Sequence, residues 1–366
     1  MAIKLIVRKG FGKIPKDINT LSNTEKDRLT SRTRNIAENL AVEFYIEEHI
    51  RKIGDSLRFI FVESDIDTLI ENSLDLRKKE LSWDEELKMI YILGLPIPLT
   101  KKVSEATKAD VFPCIIKNPE SRKGKEVFQI DSFKTFGIFQ KFLTSSTVLI
   151  PSIANEIIHY DPTIEREKFI YQQYVSTPSE FFTSYRVMVS CAGDVITSAL
   201  LYSENSKNSK ELLQLKNKGK ISKNTDILVI PDSPFFINSQ KVVSNISQGG
   251  GIIVLEPAGN SKEPTDVEKC ILKDHNINSD TPRLPEAIKE KSKLIGKYLG
   301  ESGIGLFYGI DWVQSKDGEY FYLETNLSPM CTFYVNAFMK GVGTHEEAYV
   351  LIADNILRQL LSKSIS

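Results

Sequence analysis

The sequence contains few of the residues that usually build zinc sites, disulfide frameworks or covalent active sites. It has four cysteines and four histidines in 366 residues. No two cysteines form a CxxC pair, and the histidines are scattered along the chain. Neither a zinc site nor a disulfide framework is therefore indicated. Cys331 is expected to be a packing residue rather than a nucleophile.

The sequence also lacks a charge bias and a long apolar run. Its 47 lysines and arginines nearly balance its 48 aspartates and glutamates, so neither nucleic acid nor an anionic membrane is expected as a partner. No apolar run approaches the roughly 18 residues needed to cross a bilayer. The opening MAIKLIVRKG is too short and too charged for a secretory signal. A globular, cytoplasmic protein is the expectation.

Two prolines in GLPIPLT, residues 94–100, exclude a helix there and mark a domain boundary. A chain of this length is expected to form two or three lobes. No GxGxxG follows the first predicted strand, so dinucleotide binding has no support. Residues 203–226 are rich in lysine, serine and asparagine, which predicts a mobile surface loop or a short exposed helix.

Hydrophobic periodicity and turn residues predict strands and helices on both sides of this boundary. Predicted strands cover residues 4–7, 57–62, 112–117, 127–130, 168–175, 185–190 and 195–202. Predicted helices cover residues 25–53, 82–94, 132–143, 285–301 and 344–361, with Ser82 as the N-cap of the second.

Two strand-like runs near the C-terminus carry a candidate metal site. GIDWV contains Asp311, and YFYLETNLSP contains Glu324 and Asn326. Residues i and i+2 of a strand point to the same face, so Glu324 and Asn326 present a carboxylate and an amide carbonyl side by side. The Asp-Gly pair at 317–318 predicts a hairpin that brings Asp311 opposite them. Three oxygen donors suit Mg²⁺ bridging the phosphates of a nucleotide. Polar residues that simply face water would give the same pattern.

Four other positions could contact a nucleotide. Lys117 ends an apolar strand before a turn-rich run and could neutralise phosphate oxygens, although a strand-end lysine is usually only solvated. Arg186 lies among apolar residues in YRVMV and must reach a carboxylate or an anion, so a structural salt bridge and a phosphate contact both fit. The glycines at 249–251 let the backbone approach a ligand or form a flexible turn. QQYV at 172–175 could be a hinge whose backbone contacts a base.

The order of these motifs resembles that of ATP-grasp enzymes. GLPIPLT is followed by FPCIIKNPESRKG, YQQYV, YRVMVSCAGDVI, NISQGG and finally GID…LETNLSP. The series YRVMV, N-x-x-x-G-G and D…E-x-N-x-x-P is similar to that of the branch containing bacterial glutathione synthetase and the RimK-type ligases. The resemblance covers residues 94–360, and E-x-N with its upstream aspartate is its most specific part.

The resemblance implies an α+β (α/β) ATP-grasp fold in which two subdomains hold ATP between them. An N-terminal α/β domain would cover residues 1–93, a small lid subdomain residues 94–175, and a large subdomain with the metal site residues 176–366. The implied cofactors are ATP and Mg²⁺, or Mn²⁺ in its place.

The resemblance also implies a role for each candidate residue. The implied ATP-binding residues are Lys117 at the phosphates, Gln172, Gln173, Tyr174 and Val175 at the adenine, Glu180 at the ribose, and Gly249 and Gly250 near the nucleotide. The implied metal ligands are Asp311, Glu324 and Asn326. Arg186 and Asn245 are the implied catalytic residues, beside the transferring phosphoryl group or an acyl-phosphate.

The chain departs from the family pattern at two points. The family usually has another phosphate-contacting lysine before the G-x-P-x-P segment, and none of Lys78, Lys79 and Lys88 matches its position cleanly. The acidic residue often found two positions before the strand arginine is Ser184 here. These departures concern contacts with phosphate and substrate rather than the fold.

The resembled family joins a carboxylate to an amine through an acyl-phosphate and releases ADP and phosphate. Its partners are small-molecule or peptide acids and amines, and homo-oligomers are common in it. Two alternatives stay open. An inositol-phosphate-kinase-like enzyme would need a basic cluster, which lysines around residues 207–223 could supply. A non-catalytic nucleotide-binding module would have little need of the complete Asp/Glu/Asn set. The sequence does not indicate the acid, the amine or the role of residues 1–93.

Overall fold

The computed structural model describes the chain in separate ranges. These are residues 4–8, 42–43, 45–47, 59–63, 73–75, 81–107, 110–117, 127–130, 132–134, 136–137, 148–151, 157–160, 169–203, 251–255, 263–327, 329 and 353–354. Helices and sheets are mixed within them, which confirms the predicted α+β class.

The first strands of the chain form a parallel sheet. In it, β1 (Lys4–Arg8) lies between β2 (Phe59–Glu63) and β3 (Ser73–Asp75). Strands at residues 4–7 and 57–62 were expected, and both are confirmed within two residues.

A second sheet has four antiparallel strands. They are β4 (Thr100–Lys102), β5 (Cys114–Lys117), β6 (Val127–Ile130) and β9 (Ile170–Gln173), in the order β4-β9-β5-β6. Two further strands, β7 (Val148–Pro151) and β8 (Ile157–Tyr160), pair with each other. Phe112 packs its ring against Phe136 and against Tyr171 of β9, with centroids 6.1 and 6.3 Å away.

The largest sheet is antiparallel and has five strands. They are β10 (Thr183–Ser190), β11 (Val195–Tyr202), β12 (Gly251–Val254), β13 (Phe307–Gln314) and β14 (Tyr320–Asn326), in the order β12-β11-β10-β13-β14. All eight residues of β13 are buried, as expected of a central strand covered on both faces. Within this sheet β14 is an edge strand, so one row of its backbone groups needs partners from outside the sheet.

Helices cover one face of the five-stranded sheet. They are α1 (Trp83–Leu93), α2 (Asp266–Asp274) and α3 (Glu286–Glu301). The buried side chains shared between this face and the helices are Tyr185, Val187, Ile310, Trp312, Met89, Ile90, Ile271, Leu272, Ile288, Ile295 and Leu299. The Trp312 indole N–H donates to Ser292 Oγ of α3 at 2.9 Å, so the largest buried side chain has its polar atom satisfied.

Two glycines allow α3 to lie close to β10. A Cβ atom at Gly296 would lie 2.7 Å from the Ser190 carbonyl oxygen, and one at Gly300 would lie 1.9 Å from that of Cys191. These positions are four residues apart and therefore share one helix face. The approach of α3 to the sheet depends on both lacking a side chain.

A buried polar network joins α2 to the same sheet. His275, which follows α2, lies 2.9 Å from Thr183 Oγ1 through Nε2. Its Nδ1 lies 2.9 Å from the Tyr185 hydroxyl and 2.7 Å from Gln314 Oε1. The histidine is 2% exposed, and these partners satisfy both ring nitrogens.

Two chain segments, residues 94–100 and residues 174–182, connect the four-stranded and five-stranded sheets. In the first, the Pro96 carbonyl accepts from Tyr322 N–H of β14, and the Leu99 carbonyl accepts from Gln173 N–H of β9, each at 2.8 Å. In the second, the Ser176 carbonyl accepts from Lys316 N–H at 2.9 Å. The expectation that residues 94–100 are not helical is confirmed, since they run from one sheet to the other.

Two predicted helices are confirmed almost completely. Ser82 caps α1 in a capping box with Glu85, and Gly94 ends it in a left-handed conformation with φ 58°. The helix expected at residues 285–301 is α3. Of the helices expected at 25–53, 132–143 and 344–361, the structure describes only a few residues. Residues 42–43, 45–47, 133–134, 136–137 and 353–354 are helical, and Ser132 is a bend.

Other expectations differ from the structure or lie outside it. The elements α2, β3, β4, β7, β8 and β12 were not predicted. Helix α2 begins in a capping box between Thr265 and Glu268 that the sequence could have revealed. Nearly all of the predicted loop 203–226 lies outside the described residues. No helix in the described ranges is long and apolar enough to span a membrane.

Candidate functional site

The two strands β13 and β14 bring the three predicted metal ligands together. Asp311 pairs with Glu324, and Gly309 pairs with Asn326. Directly opposed residues of an antiparallel pair share a face, so both side chains of β14 lie on the face of Asp311. Asn326 Nδ2 donates to Glu324 Oε1 at 3.3 Å, which leaves the amide oxygen of Asn326 as the remaining acceptor.

A β-bulge shapes this part of β14. The register passes from Asp311–Glu324 directly to Trp312–Tyr322, so Leu323 has no partner on β13. An extra residue shifts the alternation of the strand and re-aims its side chains. Glu324 and Asn326 therefore face Asp311, while Tyr322 and Thr325 face the other side of the strand.

Arg186 is paired with Asp311 across the neighbouring strands β10 and β13. Its Nε donates to Asp311 Oδ1 at 2.6 Å, and its Nη2 donates to Asp311 Oδ2. The two side chains are 18% and 8% exposed, so the ion pair is largely shielded from water. Of the two partners that the sequence left open for Arg186, a carboxylate and a phosphate, the structure contains the carboxylate.

Burial controls the ionisation of Asp311. Loss of solvation raises the pKa of Asp311 to about 6, against the charge and hydrogen bonds of Arg186, which lower it. The nearby carboxylate of Glu324 raises it further. A cation between the two carboxylates would relieve both effects.

Glu86 is a second buried carboxylate at this strand, and the sequence reading did not identify it. Its Oε1 accepts the Thr325 backbone N–H at 2.8 Å and the Tyr322 hydroxyl. Burial raises the pKa of Glu86 to about 7, while these hydrogen bonds and the charge of Lys117 lower it. Glu86 precedes Met89 and Ile90 by three and four residues, so helical spacing could have placed it on the buried face of α1.

Lys117 comes to this site from the four-stranded sheet. It is the last residue of β5, and its charge acts on Glu86, which is bound to β14. The two sheets therefore approach each other where the candidate phosphate-binding lysine and the candidate metal strand lie.

The predicted adenine-contacting segment covers the end of β9 and the start of the connection that follows it. Gln172 is buried and its Nε2 donates to Thr100 Oγ1 at 3.1 Å. The Gln173 N–H is bonded to Leu99, so in this structure it is not available to a base. Tyr174 packs its ring against Phe182 at 6.5 Å, and Val175 is half-buried.

The remaining predicted site residues differ in where they lie. Glu180 is exposed on the same connection. Asn245, Gly249 and Gly250 lie outside the described residues, as do Lys78 and Lys79. Lys88 is exposed on α1.

The donor set of the site fits Mg²⁺ better than zinc. Asp311, Glu324 and Asn326 offer only oxygen atoms, from two carboxylates and one amide. Mg²⁺ is usually held by one or two carboxylates together with substrate phosphates and water. Among the described residues there is no group of three or more His, Cys, Asp or Glu side chains that could hold a metal by itself.

A cavity of about 690 Å³ lies elsewhere, beside α2, and is lined by His275, Arg283, Gln314 and Tyr320 among others. Gln314 and Asp311 are three residues apart on β13, so their side chains point to opposite faces. This cavity therefore does not belong to the site around Asp311.

Comparison with known proteins gives structural similarities only. No protein-family model matches the chain, and no curated protein matches it in sequence. A structure of the ATP-grasp ligase PsnB with a minimal precursor is 13% identical, matches 75% of this chain and 59% of its own, and has a TM-score of 0.37. PsnB with precursor peptide PsnA2 and AMPPNP is 12% identical over 97% of this chain and 76% of its own, with a TM-score of 0.40.

An L-amino acid ligase from Bacillus licheniformis is 10% identical over 75% of this chain and 46% of its own, with a TM-score of 0.34. The chain thus spans less than two thirds of the first of these structures and less than half of the last.

Proposed function

We propose that this protein is an ATP-dependent carboxylate–amine ligase of the ATP-grasp type. The observation that carries the proposal is the arrangement of Asp311, Glu324 and Asn326 on one face of β13 and β14, with Arg186 bound to Asp311. Metal-binding oxygens and a cation on one sheet face suit the transfer of a phosphoryl group, which is stabilised mainly by positioned charges.

Asp311, Glu324 and Asn326 are the proposed Mg²⁺ ligands. A carboxylate offers about four lone-pair sites, and Arg186 uses two of those on Asp311, so Asp311 can accept another partner at each oxygen. When bound there, Mg²⁺ would supply positive charge that neutralises phosphate oxygens. The raised pKa of Asp311 supports this role, because Arg186 does not fully offset the loss of solvation and the repulsion from Glu324, so a further cation would stabilise the carboxylate.

Arg186 and Lys117 are the proposed cationic contacts of the ATP phosphates. They approach from different sheets, Arg186 from β10 and Lys117 from β5. Asp311 holds the Arg186 guanidinium at two nitrogens, so little side-chain freedom is lost when phosphate binds. Asn245, Gly249 and Gly250 are proposed to complete the phosphate contacts.

The proposed reaction has two steps. An oxygen of the substrate carboxylate attacks the γ-phosphorus of ATP, the bond to the bridging oxygen breaks, and ADP leaves. The nitrogen of a neutral amine then attacks the carbonyl carbon of the acyl-phosphate, inorganic phosphate leaves with the bonding electron pair, and the nitrogen loses a proton. Arg186 stabilises the charge on the transferring group in both steps.

The connections between the sheets are proposed to hold the nucleoside. Tyr174 and Val175 lie there, next to Gln172 and Gln173, and the exposed Glu180 is within the same segment. We assign the base to this segment and the ribose hydroxyls to Glu180. The Gln173 N–H is excluded from base recognition as long as it donates to Leu99.

Release of ADP and phosphate tests the proposal. Purified protein is incubated with ATP, Mg²⁺ and pairs of amino acids or short peptides, and both products are measured. The expected result is release that needs both an acid and an amine. A pair that gives ADP and a phosphorylated product, without free phosphate, would replace the ligase with a kinase.

A further inference from the structure

Glu86 is a carboxylate placed where a helix would normally carry an apolar side chain. It lies in the first half of α1 on the same face as Met89 and Ile90 and is 9% exposed. A buried carboxylate is costly unless its oxygens are hydrogen-bonded. Its neighbour Glu85 bonds instead to Ser82 in the capping box and serves the helix itself.

The partners of Glu86 are on the outer edge of β14. Thr325 N–H donates to Glu86 Oε1, and Tyr322 N–H donates to the Pro96 carbonyl, each at 2.8 Å. Both N–H groups belong to an edge strand and point away from β13, where no further strand of the described sheet can bond them. The Glu86 side chain of α1 and the Pro96 carbonyl thus accept hydrogen bonds from two outward backbone N–H groups of β14.

Because of the bulge, these contacts also hold the backbone of β14 at the positions of Glu324 and Asn326. Because Leu323 is unpaired, Tyr322 and Thr325 share the face toward Glu86, and the Tyr322 hydroxyl lies 2.9 Å from Thr325 Oγ1 as well. Thr325 is the residue between Glu324 and Asn326. A bond that fixes its backbone therefore fixes the spacing of the two donors on the opposite face.

We propose that Glu86 is a positioning residue, which holds the Glu324–Asn326 segment in the geometry that binds the metal–nucleotide complex. This inference rests on the proposed function. Glu86 does not touch the reacting atoms; it acts through the Thr325 backbone and the Tyr322 hydroxyl. Glutamine can accept the same two hydrogen bonds through Oε1, so the bonding role is separable from the charge.

The test compares Glu86→Ala, Glu86→Gln and the matched control Glu85→Gln, which lies one residue earlier on the same helix. Binding of a non-hydrolysable ATP analogue is measured by calorimetry across a range of Mg²⁺ concentrations. Hydrogen exchange of the Thr325 amide is measured without ligand. Because outer contacts of metal ligands typically change metal affinity 10- to 100-fold, we expect Glu86→Ala to raise the half-saturating Mg²⁺ concentration about tenfold or more.

We also expect faster hydrogen exchange at the Thr325 amide in Glu86→Ala. Glu86→Gln and Glu85→Gln are expected to resemble the wild type in both Mg²⁺ dependence and Thr325 exchange. If Glu86→Ala does not fold, Tyr322→Phe replaces it, because this change removes one hydrogen bond to Glu86 and keeps the ring; a smaller shift in the same direction is expected. Wild-type Mg²⁺ dependence and Thr325 exchange in the folded variant would overturn the positioning role alone. A wild-type protein that binds no nucleotide at any Mg²⁺ concentration would overturn the proposed function itself.

Discussion

Arg186 and Asp311 face each other across β10 and β13, and the guanidinium donates to both oxygens of the carboxylate. The pair lies on the same sheet face as Glu324 and Asn326. One cation and two carboxylates are thus held by the backbone register of three adjacent strands. A rigid sheet positions such groups more accurately than a loop does.

Loss of Glu324 or Asn326 is expected to abolish turnover while leaving the fold intact. Glu324 is exposed and Asn326 half-buried, and exposed substitutions usually change the free energy of unfolding by less than about 0.5 kcal/mol. Glu324→Ala and Asn326→Ala should therefore unfold near the wild-type temperature and lose Mg²⁺-dependent nucleotide binding. Glu319→Ala, an exposed carboxylate on the same hairpin, serves as the control. Near-normal activity with unchanged Mg²⁺ dependence in either site variant would contradict the metal assignment.

Arg186→Ala is expected to reduce both activity and stability. Removing one contact that stabilises developing charge typically lowers kcat by about 100- to 1,000-fold, and the effect on ATP affinity should be smaller. Removal also leaves Asp311 buried without its cation, which typically costs about 3–5 kcal/mol. Turnover and urea unfolding measure the two effects. Lys289→Ala, on an exposed face of α3, should change neither.

The double variant Arg186→Ala, Asp311→Asn separates these effects. Since it has no unpaired charge, it should be more stable than Arg186→Ala and still inactive. Equal stability of the single and double variants would show that the ion pair does not set the stability of this region.

Glu86 is expected to make stability depend on pH. Its folded pKa is about 7 and its ordinary value is 4.5, so the folded state binds the proton more tightly. The stabilisation of the folded state by proton binding at Glu86 is complete below pH 4.5 and is lost as the pH rises to about 7. One pKa unit corresponds to about 1.4 kcal/mol, so the loss is on the order of 3 kcal/mol. In urea unfolding without Mg²⁺, the free energy of unfolding should decline less steeply with rising pH in Glu86→Gln than in the wild type. Parallel curves for the two proteins would contradict the raised pKa.

Gly300→Ala is expected to disturb the packing of α3 on the sheet. The added Cβ would lie 1.9 Å from the Cys191 carbonyl oxygen, so helix or strand must move. Overpacking of this kind typically costs about 1–3 kcal/mol. Gly137→Ala is the matched control, since its Cβ would meet nothing within 4 Å. Thermal unfolding compares them, and an equal effect of both substitutions would count against the close approach.

The sequence predicted the hairpin that carries Asp311, Glu324 and Asn326, because local signals determine it. The Asp-Gly turn and the i, i+2 spacing of Glu324 and Asn326 require no knowledge of distant contacts, and the observed register agrees. Helix α1 was predictable for the same reason, from Ser82 and Gly94 at its ends.

Contacts between distant segments were harder to predict. Glu86 meets Thr325 across more than two hundred positions of sequence, and only the packing of α1 along the edge of β14 creates that contact. The choice of Asp311 as the partner of Arg186 likewise depends on strand order, which the sequence pattern does not specify. The bulge at Leu323 has no local signal such as a glycine in YFYLETN.

Trapping of an acyl-phosphate tests the central claim most directly. The protein is incubated with γ-³²P-labelled ATP, Mg²⁺, hydroxylamine and a panel of amino acids and short peptides, with Glu324→Ala as the inactive control. A ligase is expected to give a hydroxamate of one acid, with label released as inorganic phosphate and no product from the variant. Transfer of label into an alkali-stable, hydroxylamine-resistant small molecule would contradict the ligase assignment and indicate a kinase.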